Sequence, residues 1–246
     1  MDNTRYIALS RQMGLWKQMD VVSNNMANMN TSGYKQDDVM FKSYIIKTEG
    51  AKEFGKLPVY FSQDFATYTN FSEGAMSSTG NALDLAIKGE GFFAVETDNG
   101  EKYTRKGNFS LDSDGKLVTD DGSVLLSENN EPFFIAPGEK QISISETGDV
   151  STENGVIGKI KVVNFEDNNK LLKISGTMYE NVSGNTMDVA DEAVVAQGYI
   201  EKSNVNSIEE MTKMIKLQRS YEFVQQMIDQ EHTRISNTID MYSQLA

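Results

Sequence analysis

The sequence has no cysteine and only one histidine, and both scarcities limit its chemistry. A chain without thiols forms neither disulfides nor thiolate metal sites. A single imidazole, His232, argues against a histidine-based metal site or a catalytic dyad. We therefore expect no catalytic residues, no metal and no cofactor.

Long apolar runs are also absent. No stretch reaches the roughly 18 residues that a transmembrane helix requires. The first six residues, Met1 to Tyr6, have neither a basic region nor a continuous apolar core, so they do not match a cleavable secretory signal. We expect no direct membrane insertion and, if the protein is exported, another route of export.

The formal charge of −13 is concentrated in the middle of the chain. Residues 1–47 hold 6 basic and 4 acidic residues, and residues 201–246 hold 5 and 7. The segment between them holds 12 basic and 25 acidic residues. An acidic middle argues against nucleic acid as a partner. The nearly neutral ends are better suited to close packing against copies of themselves.

An apolar stripe at coiled-coil spacing occupies the N-terminal segment. Its positions are 8, 12, 15, 19, 22, 26 and 29, which are Ala, Gln, Leu, Met, Val, Met and Met. Leu9, Met13 and Trp16 lie beside this stripe and widen it. The stretch Thr31-Ser32-Gly33 would end the helix, because Gly33 can adopt a positive φ.

The C-terminal segment carries a longer stripe, without Pro or Gly from residue 207 to residue 246. Ser207 with Glu210 matches a capping box at its start. One row, at 214, 221, 228, 235 and 242, is apolar throughout, whereas the row at 211, 218, 225, 232 and 239 is polar in its middle three places. Both stripes have more apolar perimeter than one helix pair covers, which indicates contacts with further subunits.

The middle of the chain is rich in turns and in β-branched and aromatic residues. Asp98-Asn99-Gly100 predicts a hairpin turn between two strands. Gly89-Glu90-Gly91 lacks the third glycine of a nucleotide-binding fingerprint and is interpreted as a turn. Asp112-Ser113-Asp114-Gly115 lacks the later ligands of an EF-hand and is interpreted as a hairpin turn as well.

These patterns predict an α+β protein, in which N- and C-terminal helices form a coiled-coil-like α-domain and the centre forms an antiparallel β-domain. We expect an N-terminal helix over 1–35, an extended connector over 36–75, a β-rich domain over 76–200 and a C-terminal helix over 201–246.

Three blocks of the sequence resemble the flagellar rod and hook protein family of axial subunits. The first runs from Asn24-Asn25-Met26-Ala27-Asn28 to Thr31-Ser32-Gly33-Tyr34-Lys35. The second runs from Leu83 to Val95 and continues through Tyr103-Thr104-Arg105-Lys106-Gly107-Asn108-Phe109. The third runs from Gly198 to Val205 and continues with Gln218-Arg219-Ser220-Tyr221-Glu222. Leu9-Ser10-Arg11-Gln12, Thr79-Gly80-Asn81 and the short length are most similar to the proximal rod subunits.

The resemblance implies a non-enzymatic structural subunit of the flagellar basal-body rod that assembles in a helical array and transmits torque. Its implied partners are copies of itself, other axial rod proteins and the flagellar export apparatus, and its implied location is the periplasmic rod, reached without a cleavable signal. The stripes and the resemblance together predict an assembly interface at Leu15, Met19, Val22, Asn24, Asn25, Met26, Asn28, Gly33, Tyr34, Met211, Met214, Gln218, Tyr221, Ile228, Ile235, Ile239 and Tyr242.

Two alternatives remain from the sequence. The chain could be a distal rod or hook-type axial subunit. In a different class, it could be a secreted hydrolase or carbohydrate-binding protein with a β-domain, which would require a pocket with convergent polar groups.

Overall fold

The computed structural model describes residues 2–46, 59–136, 139, 141–182, 187–190 and 193–245. These residues form two long helices near the ends of the chain and antiparallel strands between them, so the predicted α+β class is confirmed. Part of the predicted connector, residues 47–58, lies outside the described residues. Neither helix in the described part has an apolar stretch long enough to span a membrane.

Helix α1 spans Asp2–Ala27 and helix α2 spans Ser207–Leu245. Helix α1 thus ends before the predicted boundary at residue 35. The side chain of Asn206 accepts the backbone N–H of Ile208 at 3.1 Å, as an N-cap does. The predicted capping box is therefore wrong: the cap lies one residue before Ser207, and Glu210 makes other contacts.

The strands are numbered in chain order and have the following bounds: β1 Asp37–Ile46, β2 Val59–Thr69, β3 Met76–Ser78, β4 Leu85–Lys88, β5 Phe92–Thr97, β6 Gly100–Thr104, β7 Phe109–Leu111, β8 Leu117–Thr119, β9 Val124–Leu125, β10 Ser143–Ile144, β11 Asp149–Thr152, β12 Gly155–Lys159, β13 Val162–Phe165, β14 Leu171–Ser175, β15 Met178–Asn181, β16 Met187–Val189, β17 Val194–Gln197 and β18 Tyr199–Glu201. A 3-10 helix at Asn168–Lys170 precedes β14.

The described chain divides into two compact units. The first comprises Met1–Ala27, Asp37–Thr69 and Asn206–Ala246, and the second comprises Asn28–Gln36 and Asn70–Val205. In the first unit, β1 pairs antiparallel with β2, from Asp37 opposite Thr69 to Ile46 opposite Val59. The segment that we predicted as an extended connector therefore contains two paired strands, which group with the helices.

The second unit is built around a sheet whose main path runs β14-β15-β6-β5-β9-β8-β7, with β13 and β16 alongside. Smaller sheets pair β10-β11-β12, β17-β4 and β18-β3. The turns predicted at Gly89-Glu90-Gly91, Asp98-Asn99-Gly100 and Asp112-Ser113-Asp114-Gly115 each connect consecutive strands, so these three predictions are confirmed.

Strand β5 explains where the core of the second unit lies. Its first four residues are all buried, and alternate side chains point to opposite faces of a strand. Phe93 and Val95 belong to one apolar cluster, with Leu125 and Ile160, whereas Phe92 belongs to another on the opposite face. The continuous apolar run is therefore typical of a central strand that is covered on both sides.

Candidate functional site

Helices α1 and α2 pack against each other along a seam at heptad spacing. Ala8 and Leu15 of α1 are buried against Val224 of α2, with Tyr221 and Ile228 partly buried beside them. Removing these apolar side chains from water stabilises the pair by roughly 1.5–3 kcal/mol for each fully buried side chain. Ala8 and Leu15, two positions of the predicted stripe on α1, therefore face α2.

On α2, only one of the two predicted rows faces the seam. Met214, Tyr221, Ile228 and Ile235 are half-buried, as expected. The second buried or half-buried row is Glu210, Leu217, Val224 and Glu231, one residue before the predicted row. A shift of one residue rotates a side chain by about 100° around a helix, which takes the predicted row out of the seam.

Several predicted interface residues of α2 lie at the surface of the single chain. Met211 is 53% exposed, Ile239 61% and Tyr242 71%, and Gln218 is exposed as well. Gln225 lies at the edge of the seam, where its Oε1 accepts a hydrogen bond from Gln12 Nε2 at 2.7 Å. Whether the exposed residues contact other subunits stays a prediction.

The first of two buried polar clusters centres on Asn25, which is fully buried. Its amide donates to the backbone oxygen of Asp37 at 2.8 Å and accepts the N–H of Asp37 at 3.0 Å. The same amide donates to Glu210 Oε2 at 3.1 Å. Asn25 therefore ties α1 to the first residue of β1 and to the first turn of α2.

Lys213 extends the Asn25 cluster towards solvent. Its Nζ lies 2.6 Å from Glu210 Oε1 and 3.7 Å from Asp38 Oδ1. Burial lowers the pKa of Lys213, but the hydrogen bond to Glu210 and the charge of Asp38 outweigh burial and raise this pKa above its ordinary value. Glu210 is only 1% exposed, and the charge of its carboxylate is compensated by the ammonium group of Lys213.

The other two predicted asparagines make local contacts. Asn24 donates to the backbone oxygen of Asp20 at 3.1 Å, within α1. Asn28 accepts the hydroxyl of Thr31 at 3.2 Å and its backbone oxygen accepts the N–H of Thr31. Met19 and Met26 are half-buried, and Val22 is buried.

Gly33 has a φ of +69°, which confirms the predicted left-handed conformation. Its N–H donates to the backbone oxygen of Glu201 at 2.8 Å. A Cβ at this position would lie 2.4 Å from the backbone nitrogen of Lys106, too close for any side chain. Both the backbone conformation and this close approach therefore require glycine.

Tyr34 follows as a buried anchor, only 2% exposed. The Nζ of Lys173 lies 3.9 Å from the centre of its ring, within the range of a cation–π interaction. The same Nζ donates to the backbone oxygen of Lys35 at 2.9 Å. These contacts hold the chain in place after Gly33.

The second buried polar cluster joins Lys35, Arg105 and Glu201, all within the second unit. Lys35 Nζ lies 2.6 Å from Glu201 Oε1, and Arg105 Nη1 lies 3.4 Å from Glu201 Oε2. The three side chains are at most 5% exposed. Glu201 also accepts the N–H of Gly74 at 2.7 Å, and Lys35 donates to the backbone oxygen of Ser72 at 2.8 Å.

Burial controls the two cations of this cluster. It lowers the pKa of Lys35 below its ordinary value, although the charge and hydrogen bond of Glu201 oppose this shift. Burial likewise lowers the pKa of the Arg105 guanidinium, again against the charge of Glu201. A buried charge is tolerated only when it is paired and hydrogen-bonded. Glu201 is the carboxylate that pairs with both cations, and the charge of Glu73 adds a weaker attraction.

Asn204 connects several segments next to this cluster. Its Oδ1 accepts the N–H of Gln36 at 2.8 Å, and its Nδ2 donates to the backbone oxygens of Asn70 at 2.8 Å and Ser72 at 3.1 Å. One side chain therefore satisfies backbone groups of two chain segments that are far apart in the sequence.

Comparison with known proteins matches the same three regions. The model of the flagella basal body rod protein matches residues 6–35, that of the flagellar hook protein FlgE/F/G D1 domain matches 86–152, and that of the flagellar basal body rod FlgEFG protein C-terminal matches 196–241.

Curated relatives match over almost the full length. The chain is 38% identical to the flagellar basal-body rod protein FlgF of Caulobacter vibrioides, over 93% of each chain. It is 32% identical to FlgF of Mesorhizobium japonicum, over 90% of each chain. It is 33% identical to the rod protein FlgG of Bacillus subtilis, over 88% of this chain and 90% of the relative.

The chain belongs to the flagellar basal-body rod protein family. It is a structural subunit of the flagellar rod, located in the basal body, and its relatives are structural rod proteins rather than enzymes. Each of the three matched regions of this rod protein contributes one charge to the second cluster: Lys35 from the first, Arg105 from the second and Glu201 from the third.

Sequence reasoning about the rod protein missed Lys35, Arg105, Glu201 and Asn204 as functional residues. All four stand in the blocks that carry the family resemblance, which was the available signal. Their role was not visible because the ion pair joins residues separated by 166 positions.

Proposed function

We propose that this rod subunit assembles through its terminal helices with copies of itself and with other flagellar axial proteins, and that it transmits torque as part of the proximal rod. In this proposal α1 and α2 form a coiled-coil-like α-domain, and the β-rich segment between them forms a separate domain. The subunit works in the periplasmic part of the rod and reaches it through the flagellar export apparatus, without a cleavable signal.

The observation that carries the proposal is the apolar surface that α1 and α2 leave exposed after they pack on each other. Monomeric proteins rarely expose long contiguous apolar rows, and such rows mark protein interfaces. On α1, Tyr6, Leu9, Met13 and Trp16 follow a heptad row of their own, about 100° around the helix from the seam. The exposed large apolar residues of the two helices are Tyr6, Ile7, Leu9, Met13, Trp16, Ile208, Met211, Ile215, Phe223, Met227, Ile239, Met241 and Tyr242.

Similarity to FlgF relatives supports a proximal position. FlgG of Bacillus subtilis, 33% identical, supports a distal rod subunit as the second candidate. Both candidates use the same helices for assembly, and they differ in the part of the rod that is lost when the gene is deleted.

A charge in the seam tests the proposal. Ile228→Asp places a carboxylate against the cluster of Leu15 and Val224, where its burial without a partner costs several kcal/mol. We expect a non-motile strain without incorporation of the subunit into basal bodies, while far-UV circular dichroism still shows the β-structure. The matched control is Gln226→Asp, which adds the same charge at an exposed position of α2.

Normal swimming and normal incorporation of the Ile228→Asp subunit would contradict assembly through the helices. Loss of incorporation for both variants would show that added negative charge alone, rather than its place in the seam, is responsible.

A further inference from the structure

An open groove lies within the first unit, on the side of α1 that faces β1 and α2. Its volume is about 310 Å³. Its walls are apolar and are formed by Val21 and Val22 of α1, Val39 of β1 and Leu217 of α2. This space accommodates one large side chain but not a second helix.

The polar residues that line the groove are Gln18, Asp38, Lys213 and Lys216. Lys213 lies 2.6 Å from Glu210 and 3.7 Å from Asp38, and Lys216 follows one turn later on α2. An apolar slot below two ammonium groups fits an aromatic ring, since the ring buries apolar area while its face attracts a cation, and tryptophan is the best of the aromatic residues in this role.

Trp16 is the single tryptophan of the chain, and it is 62% exposed on α1. Its neighbour Leu15, which faces the seam, is only 1% exposed. Leu9 and Met13 continue the exposed row along the same face, 51% and 58% exposed. A large aromatic residue that stays in water within the chain gains most from a contact with another molecule.

Trp16 cannot fill the groove of its own chain. Val21 follows Trp16 by five positions, which places the two side chains roughly 140° apart around α1. Asp20, four positions after Trp16, lies on the Trp16 face; it pairs with Lys17 at 3.3 Å, and its charge is opposite to that of Lys216 on the groove rim. The Trp16 face and the groove are therefore complementary in shape and in charge, yet lie on different sides of one unit.

We propose that the groove receives Trp16 of a neighbouring copy of this chain. The inference rests on the proposed function, in which copies assemble through their helices. Because the inserted side chain and the groove lie on different faces, the contact is heterologous, and repeated contacts of this kind produce an open helical array rather than a closed dimer.

The absence of native cysteine allows a direct cross-linking test. A strain that lacks the wild-type gene expresses Trp16→Cys and Val39→Cys chains of different tag length, and isolated basal bodies are treated with a short bis-maleimide. We expect a cross-linked species that contains one chain of each kind. The matched control replaces Trp16→Cys by Phe223→Cys, since Phe223 is equally exposed, at 69%, but lies on α2.

Each outcome has a defined meaning. Cross-linking with Trp16→Cys but not with Phe223→Cys supports the inference. Equal cross-linking of both, cross-linking of Trp16→Cys only to a different rod protein, or chains present in basal bodies without any cross-link would overturn it. Chains absent from basal bodies when neither cysteine is present would instead overturn the proposed function.

A second pair of variants tests the fit of the two surfaces. Val39→Trp fills the groove from within its own chain, and we expect it to weaken incorporation by about ten- to a hundredfold, the equilibrium value of one buried aromatic side chain. Adding Trp16→Ala to the Val39→Trp chain removes the indole ring that would otherwise clash with the filled groove of a neighbouring copy. The double variant should therefore incorporate better than Val39→Trp alone. A double variant that incorporates less well than both single variants would contradict insertion into the groove.

Discussion

Replacing Glu201 by glutamine tests the buried charge cluster most sharply. The substitution keeps the shape of the side chain and one of its two oxygens, but removes the negative charge. In the wild type, the carboxylate oxygens lie 2.6 Å from Lys35 Nζ and 3.4 Å from Arg105 Nη1. Removing one partner of a buried ion pair typically costs 3–5 kcal/mol, because the remaining charge stays buried without compensation. We expect Glu201→Gln to lower the free energy of unfolding by about that amount.

The measurement is urea-induced unfolding followed by far-UV circular dichroism, with the free energy extrapolated to water. The matched control is Glu128→Gln, which breaks a pair of equal length with Lys159, at 2.6 Å, in which both side chains are 37% exposed. Exposed pairs contribute about 0–1 kcal/mol, so this control should unfold almost as the wild type does. If the free energies of unfolding of the two variants fall by amounts that differ by less than 1 kcal/mol, the argument from burial is refuted.

Two further substitutions test single features. Gly33→Val should reduce stability and incorporation far more than Gly80→Val. Both glycines have a positive φ, but only at Gly33 would the new Cβ lie as close as 2.4 Å to backbone atoms. Equal melting temperatures of the two variants would refute the argument from this steric clash. Burial, followed by the charge of Glu101, raises the pKa of Tyr103 to about 12, so its stabilising contribution is complete below pH 10 and is lost as the pH rises to 12. Between pH 10 and pH 12, the free energy of unfolding of Tyr103→Phe should therefore fall by about 2–3 kcal/mol less than that of the wild type. If urea unfolding gave the two proteins identical pH profiles, the raised pKa would be contradicted.

The helices and turns were predictable because local chemistry determines them. The heptad spacing of Ala8 and Leu15 places both inside the seam, and Gly33 adopts the backbone conformation that only glycine takes without strain. The β-branched and aromatic residues and the glycine-rich turns likewise indicated the antiparallel β-structure. These features depend on residues within a few positions of each other.

The second row of α2 was predicted one residue too late, for a physical reason. Met211 and Ile239 made the row apolar at its ends, whereas the true row begins with Glu210. The buried carboxylate is tolerated because Asn25, 185 residues earlier, donates a hydrogen bond to it and Lys213, one turn later on α2, pairs with its charge. Sequence spacing alone does not report such compensation.

The hairpin of β1 and β2 and the Asn204 contacts were missed for the same reason. Strand pairing between Asp37 and Thr69 depends on non-local hydrogen bonds, and Asn204 binds backbone groups of segments more than 130 residues earlier. Family resemblance indicated that these residues matter, but it did not indicate what they contact.

Imaging of basal bodies by electron microscopy, from a strain that lacks this gene, tests the central claim most directly. A structural subunit of the proximal rod predicts basal bodies that end near their base, without distal rod, hook or filament, and restoration of all three by the wild-type gene on a plasmid. A complete rod that carries a hook in the deletion strain would contradict the account.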